Sequence, residues 1–208
     1  MTLGDGSTLD GSESCPRHMR IAIDIDSTLH HYWDRLSDAA LRRFGIDLPY
    51  EEQLDWGITR LRYDQLHLCI QETHCEAAIL AGEPYPDAVE TVTRWRADGH
   101  FIHVTSHRDP AAHDATARWL DQIGLPYDDL YCAHDKVSRS VELGIELLID
   151  DSPENLIRAI DLGILVATIT HPWNREVCEE EDVVCAADWR ELAAKLDPLL
   201  RRRASVRP

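Results

Sequence analysis

The sequence predicts an α/β domain: a doubly wound, mostly parallel sheet with helices on its faces and a small helical cap inserted after the first strand. Three observations lead there. Short apolar runs alternate with amphipathic helical stretches, the signature of parallel strands joined by crossover helices. The apolar runs are brief and nearly uninterrupted, as strands buried on both faces must be. One stretch between the first two strands, residues 30–85, is too long for a simple crossover, and a chain of 208 residues has room for one core plus an insertion.

Taken in order, residues 1–17 are rich in Gly, Ser, Thr and Asp without apolar periodicity and are expected to be disordered. The first strand is placed at 21–25, within a core made of residues 18–29 and 86–198. The insertion, 30–85, carries helical spacing at Leu36, Ala40, Leu41 and Phe44, at Leu66, Cys69 and Ile70, and at Ala77 to Leu80. It is read as a helical cap, and it hangs over the carboxyl edge of the sheet, where α/β sites lie. A helix at 86–98 has Pro86 near its start and Gly99 just past its end. Strands follow at 101–105, 130–133, 147–149 and 165–169, and helices at 111–123, 153–162 and 189–196. Residues 199–208 read as a basic, proline-ended tail.

A formal net charge of −17 argues against nucleic-acid polymers and anionic membranes as partners, because the bulk field repels phosphates. An anionic substrate then needs local attraction from a metal and a few placed cations. Only two lysines, Lys136 and Lys195, occur in the chain, so a lysine at a motif position carries weight. The six cysteines form no C-x-x-C pair and no apolar leader precedes the domain, so they read as reduced thiols of a cytoplasmic protein.

The apolar run Ile21-Ala22-Ile23 leads into Asp24-Ile25-Asp26, two carboxylates one residue apart. Desolvating an unpaired carboxylate costs several kcal/mol, so acids here call for a cation or a shared proton. Three further features fall at strand ends or helix starts: Thr105-Ser106, Lys136, and Asp150-Asp151 ahead of Ser152-Pro153. Taken singly, each has an ordinary structural explanation, such as a turn, a surface charge or a helix start. Together, in this order, they make a site.

This set resembles the haloacid dehalogenase superfamily of phosphotransferases, over roughly residues 20–169, and the resemblance implies a Rossmann-like core and phosphomonoester chemistry. It implies Asp24 as the nucleophile that forms an aspartyl-phosphate, and Mg²⁺ as the cofactor. Asp26 would be the general acid and base, with a pKa raised by neighbouring acids, and its backbone carbonyl would join Asp24 and Asp151 on the metal. Thr105 would bond a phosphoryl oxygen, Lys136 would bridge phosphate and nucleophile, and Asp150 would support the metal site from behind.

Within the superfamily the chain resembles the deoxyribonucleotidase group, small enzymes with a helical cap between the first two motifs. There an aromatic eight residues beyond the nucleophile stacks on the base. Here that position is Tyr32, with Trp33 and Trp56 nearby. Ser106, His107 and Arg108 are candidate contacts to substrate phosphate or sugar. His103 reads as core and Trp173 as packing. The chain departs from that group in its longer stretch from Lys136 to Asp150 and in Ser27-Thr28, where Gly-Val is usual.

The expected partner is a small phosphorylated metabolite, either a nucleoside monophosphate or another phosphate such as a sugar phosphate. Oligomeric state stays open, with a homodimer as one option. A phospho-acceptor signalling domain is disfavoured by chain order, since there the acidic pair comes first and the acceptor sits on a middle strand. A non-catalytic binding protein on the same fold would be expected to lose Asp24 or Asp26, and both are present.

Overall fold

The computed structural model describes residues 18–55, 58–133 and 135–203. Six parallel strands form one sheet in the order β3-β2-β1-β4-β5-β6. They are β1 (Arg20–Asp24), β2 (Phe101–Ser106), β3 (Asp129–Cys132), β4 (Leu147–Ile149), β5 (Leu165–Ile169) and β6 (Val183–Ala186). The chain winds outward from β1 through β2 to β3, then returns to β4 on the other side of β1. The crevice where a doubly wound sheet binds ligands therefore opens between β1 and β4.

Alternation along β1 explains the two layers. Ile21, Ile23 and Ile25 point into a cluster with Val92 and Trp95 of α4 (Ala88–Ala97), Trp119 of α5 (His113–Ile123) and Leu192 of α9 (Trp189–Arg203). Ala22 faces the opposite side, where Leu156 and Ala159 of α7 (Pro153–Asp161) and Val177 of α8 (Arg175–Glu180) pack. This period of two is what buries a central strand on both faces.

Between β1 and β2 stand α1 (Tyr32–Phe44), α2 (Tyr63–Thr73) and α3 (Glu76–Leu80), the expected helical cap. Gly45 ends α1 at φ 66°, a conformation that costs glycine nothing. The cap has its own core of Trp33, Leu36, Ala39, Ala40, Leu48 and Cys69. Trp173, which follows β5 in the main unit, joins that cluster and ties the two units together.

Several expectations change. Strand β6 and helices α6 (Lys136–Glu142) and α8 are additional elements. Helix α9 continues through Pro198 to Arg203, because Leu196 and Leu200, one turn apart, are both buried on the same face. Residues 199–203 of the expected tail are thus helical, while 204–208, like the expected disordered segment 1–17, lie outside the described residues. The cysteines are not all thiols: Cys178 and Cys185 form a disulfide with their Cα atoms 6.0 Å apart, whereas Cys69, Cys75 and Cys132 are free. The pairing has no C-x-x-C signature because the fold creates it, bringing α8 alongside β6.

Candidate active site at the carboxyl edge of the sheet

Strand register assembles the site. Asp24 pairs with Thr105 across β1 and β2, and Ile23 pairs with Ile149 across β1 and β4, so Asp24, Thr105 and Asp150 stand level at adjacent strand ends. Lys136 arrives as the first residue of α6, whose start is fixed by Asp135 accepting a bond from the Ser138 backbone N–H at 3.2 Å. Its ammonium donates to Asp24 Oδ1 at 2.7 Å and lies 2.9 Å from Asp150 Oδ2. Asp150 also accepts from the Ser152 backbone N–H at 2.9 Å and from Asn155 Nδ2 at 3.2 Å. Trp173 Nε1 donates to Asp151 Oδ2 at 3.1 Å, and Asn174 Nδ2 donates to the Asp151 carbonyl at 3.2 Å.

One carboxylate oxygen from each of Asp24, Asp150 and Asp151 lies within 4.8 Å of the others, and all three residues are buried. A single ammonium faces three acids. Burial, reinforced by the charges of Asp150 and Asp26, pushes Asp24 up to about 7 despite Lys136. Burial and then Asp24 and Asp150 likewise push Asp151 well above the ordinary carboxylate range. For Lys136 burial opposes the charged form, but Asp150 and Asp24 prevail and raise its pKa. The surplus of negative charge among hard oxygen donors fits a divalent cation such as Mg²⁺.

Asp26 is treated differently. Arg108 grips it with Nη2 at 2.8 Å from Oδ1 and Nε at 3.2 Å from Oδ2, Ser106 donates to Oδ2 at 3.0 Å, and His30 Nε2 lies 2.9 Å from Oδ1. Burial works to raise its pKa, yet Arg108, His30 and His74 hold it well below the carboxylate range. The expectation of a raised pKa is therefore corrected. Asp24 is the nearest strand-end acid in sequence, but the arginine two residues past Ser106 dominates.

A cavity of about 640 Å³ opens above these groups. Asp24, Asp26, Lys136 and Asp151 line its floor, while Tyr32, Ile70 and His74 of the cap, His107 and Trp173 form walls. Asp55, Glu154 and Glu176 add negative charge to its lining. The Tyr32 hydroxyl bonds Thr73 Oγ1 at 2.9 Å and its ring lies 5.2 Å from that of His74. The Thr105 hydroxyl is buried and has no partner among the described residues.

Of the sequence-derived candidates, Asp24, Asp26, Lys136, Asp151, Tyr32 and His107 meet at the cavity, with Asp150 directly beneath Lys136. Ser106 and Arg108 are buried on Asp26 rather than set in the cavity wall. Trp33 is spent in the cap core, donating to the Leu48 carbonyl, and Trp56 lies outside the described residues. His103 is core, as expected, 3.0 Å from Asp129. Trp173 does more than pack, and Asn155 and Asn174 are further supports. Its place just beyond a strand's carboxyl end was the available signal for Trp173.

Residues 17–202 match the family described as 5' nucleotidase, deoxy (pyrimidine), cytosolic type C protein. A Chlorobaculum tepidum protein named "Putative 5'(3')-deoxyribonucleotidase" is 27% identical over 186 residues, covering 83% of this chain and 87% of that one. A haloacid dehalogenase family hydrolase from Deinococcus radiodurans R1, solved with bound phosphate and sodium, superposes with a TM-score of 0.65 at 18% identity, covering 88% of this chain and 97% of that one. CbbY from Rhodobacter sphaeroides, solved in complex with phosphate, gives 0.59 at 18% identity, covering 87% and 100%.

Proposed function

Starting from the premise that the chain belongs to the 5' nucleotidase, deoxy (pyrimidine), cytosolic type C family, and is a phosphatase of the haloacid dehalogenase superfamily, we propose that it hydrolyses (deoxy)nucleoside monophosphates. The carrying observation is the cavity itself. Its floor holds Asp24 against Lys136, and Tyr32, Leu54, Ile70 and Trp173 add aromatic and apolar surface to its lining, so a phosphate and a planar base each find matching groups.

In this reading Asp24 attacks phosphorus as the ester bond breaks, and Asp26 delivers a proton to the departing sugar oxygen. Water then cleaves the aspartyl-phosphate, passing its proton back to Asp26 and releasing inorganic phosphate. Arg108 and His30 keep Asp26 ionised in the resting site, so the proton it delivers in the first step is taken from the substrate, which enters as its monoanion; the proton Asp26 takes from water in the second step leaves with the released phosphate, and Asp26 returns to its ionised state. Lys136 offsets the charge that accumulates on the phosphoryl oxygens, and the unpartnered Thr105 hydroxyl donates to one of them. Asp24 and Asp151 would hold Mg²⁺ with the Asp26 carbonyl, while Asp150 anchors Lys136. The metal supplies the positive charge that lets a phosphate anion approach a carboxylate. The cap, residues 30–85, selects the substrate, with Tyr32 stacking on the base. A cytoplasmic setting belongs to the same reading. No helix among the described residues is long and apolar enough to cross a membrane.

The test is phosphate release from deoxynucleoside monophosphates and sugar phosphates with Mg²⁺. Asp24→Asn should lose about a thousandfold or more in kcat, as removal of a covalent nucleophile does, and chelation should silence the wild type. Full activity in either control overturns the assigned nucleophile or the metal. Tyr32→Ala should raise KM for a nucleotide about tenfold, in line with base–aromatic stacking of roughly 1–3 kcal/mol, and leave a small aryl phosphate nearly unaffected. Equal effects on both would remove the stacking role.

A further inference from the structure

His171 lies just beyond β5 and does not line the active-site cavity, yet it touches both halves of the machinery. Its Nε2 is 2.7 Å from the Ser27 carbonyl, and its Nδ1 is 2.7 Å from the hydroxyl of Tyr50, which belongs to the cap between α1 and α2. A carbonyl only accepts, so Nε2 carries a proton. Burial holds the ring neutral, so Nδ1 is bare and accepts from the tyrosine, and the tautomer is set from both sides. It also lies flat on Trp173, with centroids 4.5 Å apart and planes 6° apart, and Tyr50 meets Trp173 edge-on at 5.7 Å.

Two of these contacts lead to reacting groups. Ser27 follows Asp26 and sits at φ 63°, a left-handed conformation that a residue with a Cβ adopts only when its surroundings hold it there. Trp173 donates to Asp151. A second cavity of about 300 Å³ borders His171 and Tyr50. The two hydrogen bonds and the stack on Trp173 therefore share with packing the fixing of the imidazole.

We propose that His171 is a positioning residue for phosphoryl transfer: pinned between the cap hydroxyl of Tyr50 and the carbonyl of Ser27, it sets the turn that carries Asp26 and steadies Trp173 against Asp151, so that the acid/base and the metal-side carboxylate take their places only with the cap seated. The inference rests on the phosphatase reading above and adds a residue to it.

The experiment uses the full chain with para-nitrophenyl phosphate, a substrate too small to depend on the base-binding wall. Tyr50→Phe removes one hydroxyl, His171→Phe keeps a flat ring on Trp173 without hydrogen bonds, and His171→Gln restores a donor towards Ser27. Displacements of an ångström or so at a reacting group cost up to about a hundredfold. Accordingly, Tyr50→Phe and His171→Phe should each lower kcat about tenfold or more with KM within about twofold, His171→Gln should recover part of the loss, and the double variant should be no slower than His171→Phe. A Tyr50→Phe enzyme with wild-type kcat, a loss carried in KM, or multiplicative losses in the double variant overturns the proposal. Wild type and Asp24→Asn run alongside: no phosphate release from the wild type defeats the phosphatase reading rather than this one, and release by Asp24→Asn defeats only the nucleophile assigned to Asp24. Imidazole nitrogen NMR provides a readout independent of turnover, with a neutral His171 ring protonated at Nε2 expected and protonation at Nδ1 contradicting the assignment.

Discussion

Asp24 and Asp26 are two residues apart and have opposite electrostatics. Asp24 shares one ammonium with Asp150 and is pushed up to about 7, whereas Asp26 has a guanidinium of its own and is held low. The acids, Lys136 and Thr105 were legible in the sequence because residue type and strand-end placement together specify them. The partner of Arg108 was not. An arginine beside a phosphate site reads as a phosphate ligand, and its contact with Asp26 spans 82 positions that only the fold closes. His171 shows the same gap between sequence and environment. Burial, outweighing the Ser27 carbonyl, pushes it down from 6.5 to about 4. Between those values the unfolded chain binds a proton that the folded protein refuses. The contribution of this group is therefore complete above about pH 6.5 and is lost as pH falls towards 4. Unfolding in urea should show about 2 kcal/mol less stability from this residue at pH 5 than at pH 7. In His171→Gln that share of the decrement should vanish; an unchanged decrement would assign it elsewhere.

At the level of elements, the strands that position chemistry were readable because they are apolar on both faces. Strand β6 was not: Val183, Val184 and Cys185 are only half-buried, and the acidic run Glu179 to Asp182 ahead of them reads as loop. Helix α6 escaped because it has seven residues, too few for amphipathic periodicity to show. The cap helices were visible in outline, yet their contact with Trp173 was not, since that residue comes from a different part of the chain. The disulfide between Cys178 and Cys185 fastens α8 to β6 across a sequence separation of 7. Closing so short a loop stabilises by about 2 kcal/mol on loop-entropy grounds. Urea unfolding of oxidised protein should show that margin over reduced protein, and Cys178→Ser should show no response to reductant. Identical midpoints with and without reductant in the wild type would mean that the sulfurs are not joined in solution.

For the molecule as a whole, a net charge of −17 and a cluster of buried acids at one sheet edge make the same demand for a local cation. A divalent ion bound to the folded state alone stabilises it by mass action, about 2.7 kcal/mol at a hundred times Kd. Mg²⁺ should therefore raise the melting temperature in a concentration-dependent way, and Asp151→Asn should weaken or abolish that rise. A melting temperature indifferent to Mg²⁺ in the wild type would remove the metal from the site. The seclusion of Lys136 also bears on covalent labelling. The chain has one other lysine, Lys195, whose side chain is 46% exposed, whereas that of Lys136 is 2% exposed. Acylating reagents will mark Lys195 at once and reach Lys136 only when its ion pairs with Asp24 and Asp150 open, so the ratio of the two adducts by mass spectrometry clocks how often that charge cluster loosens.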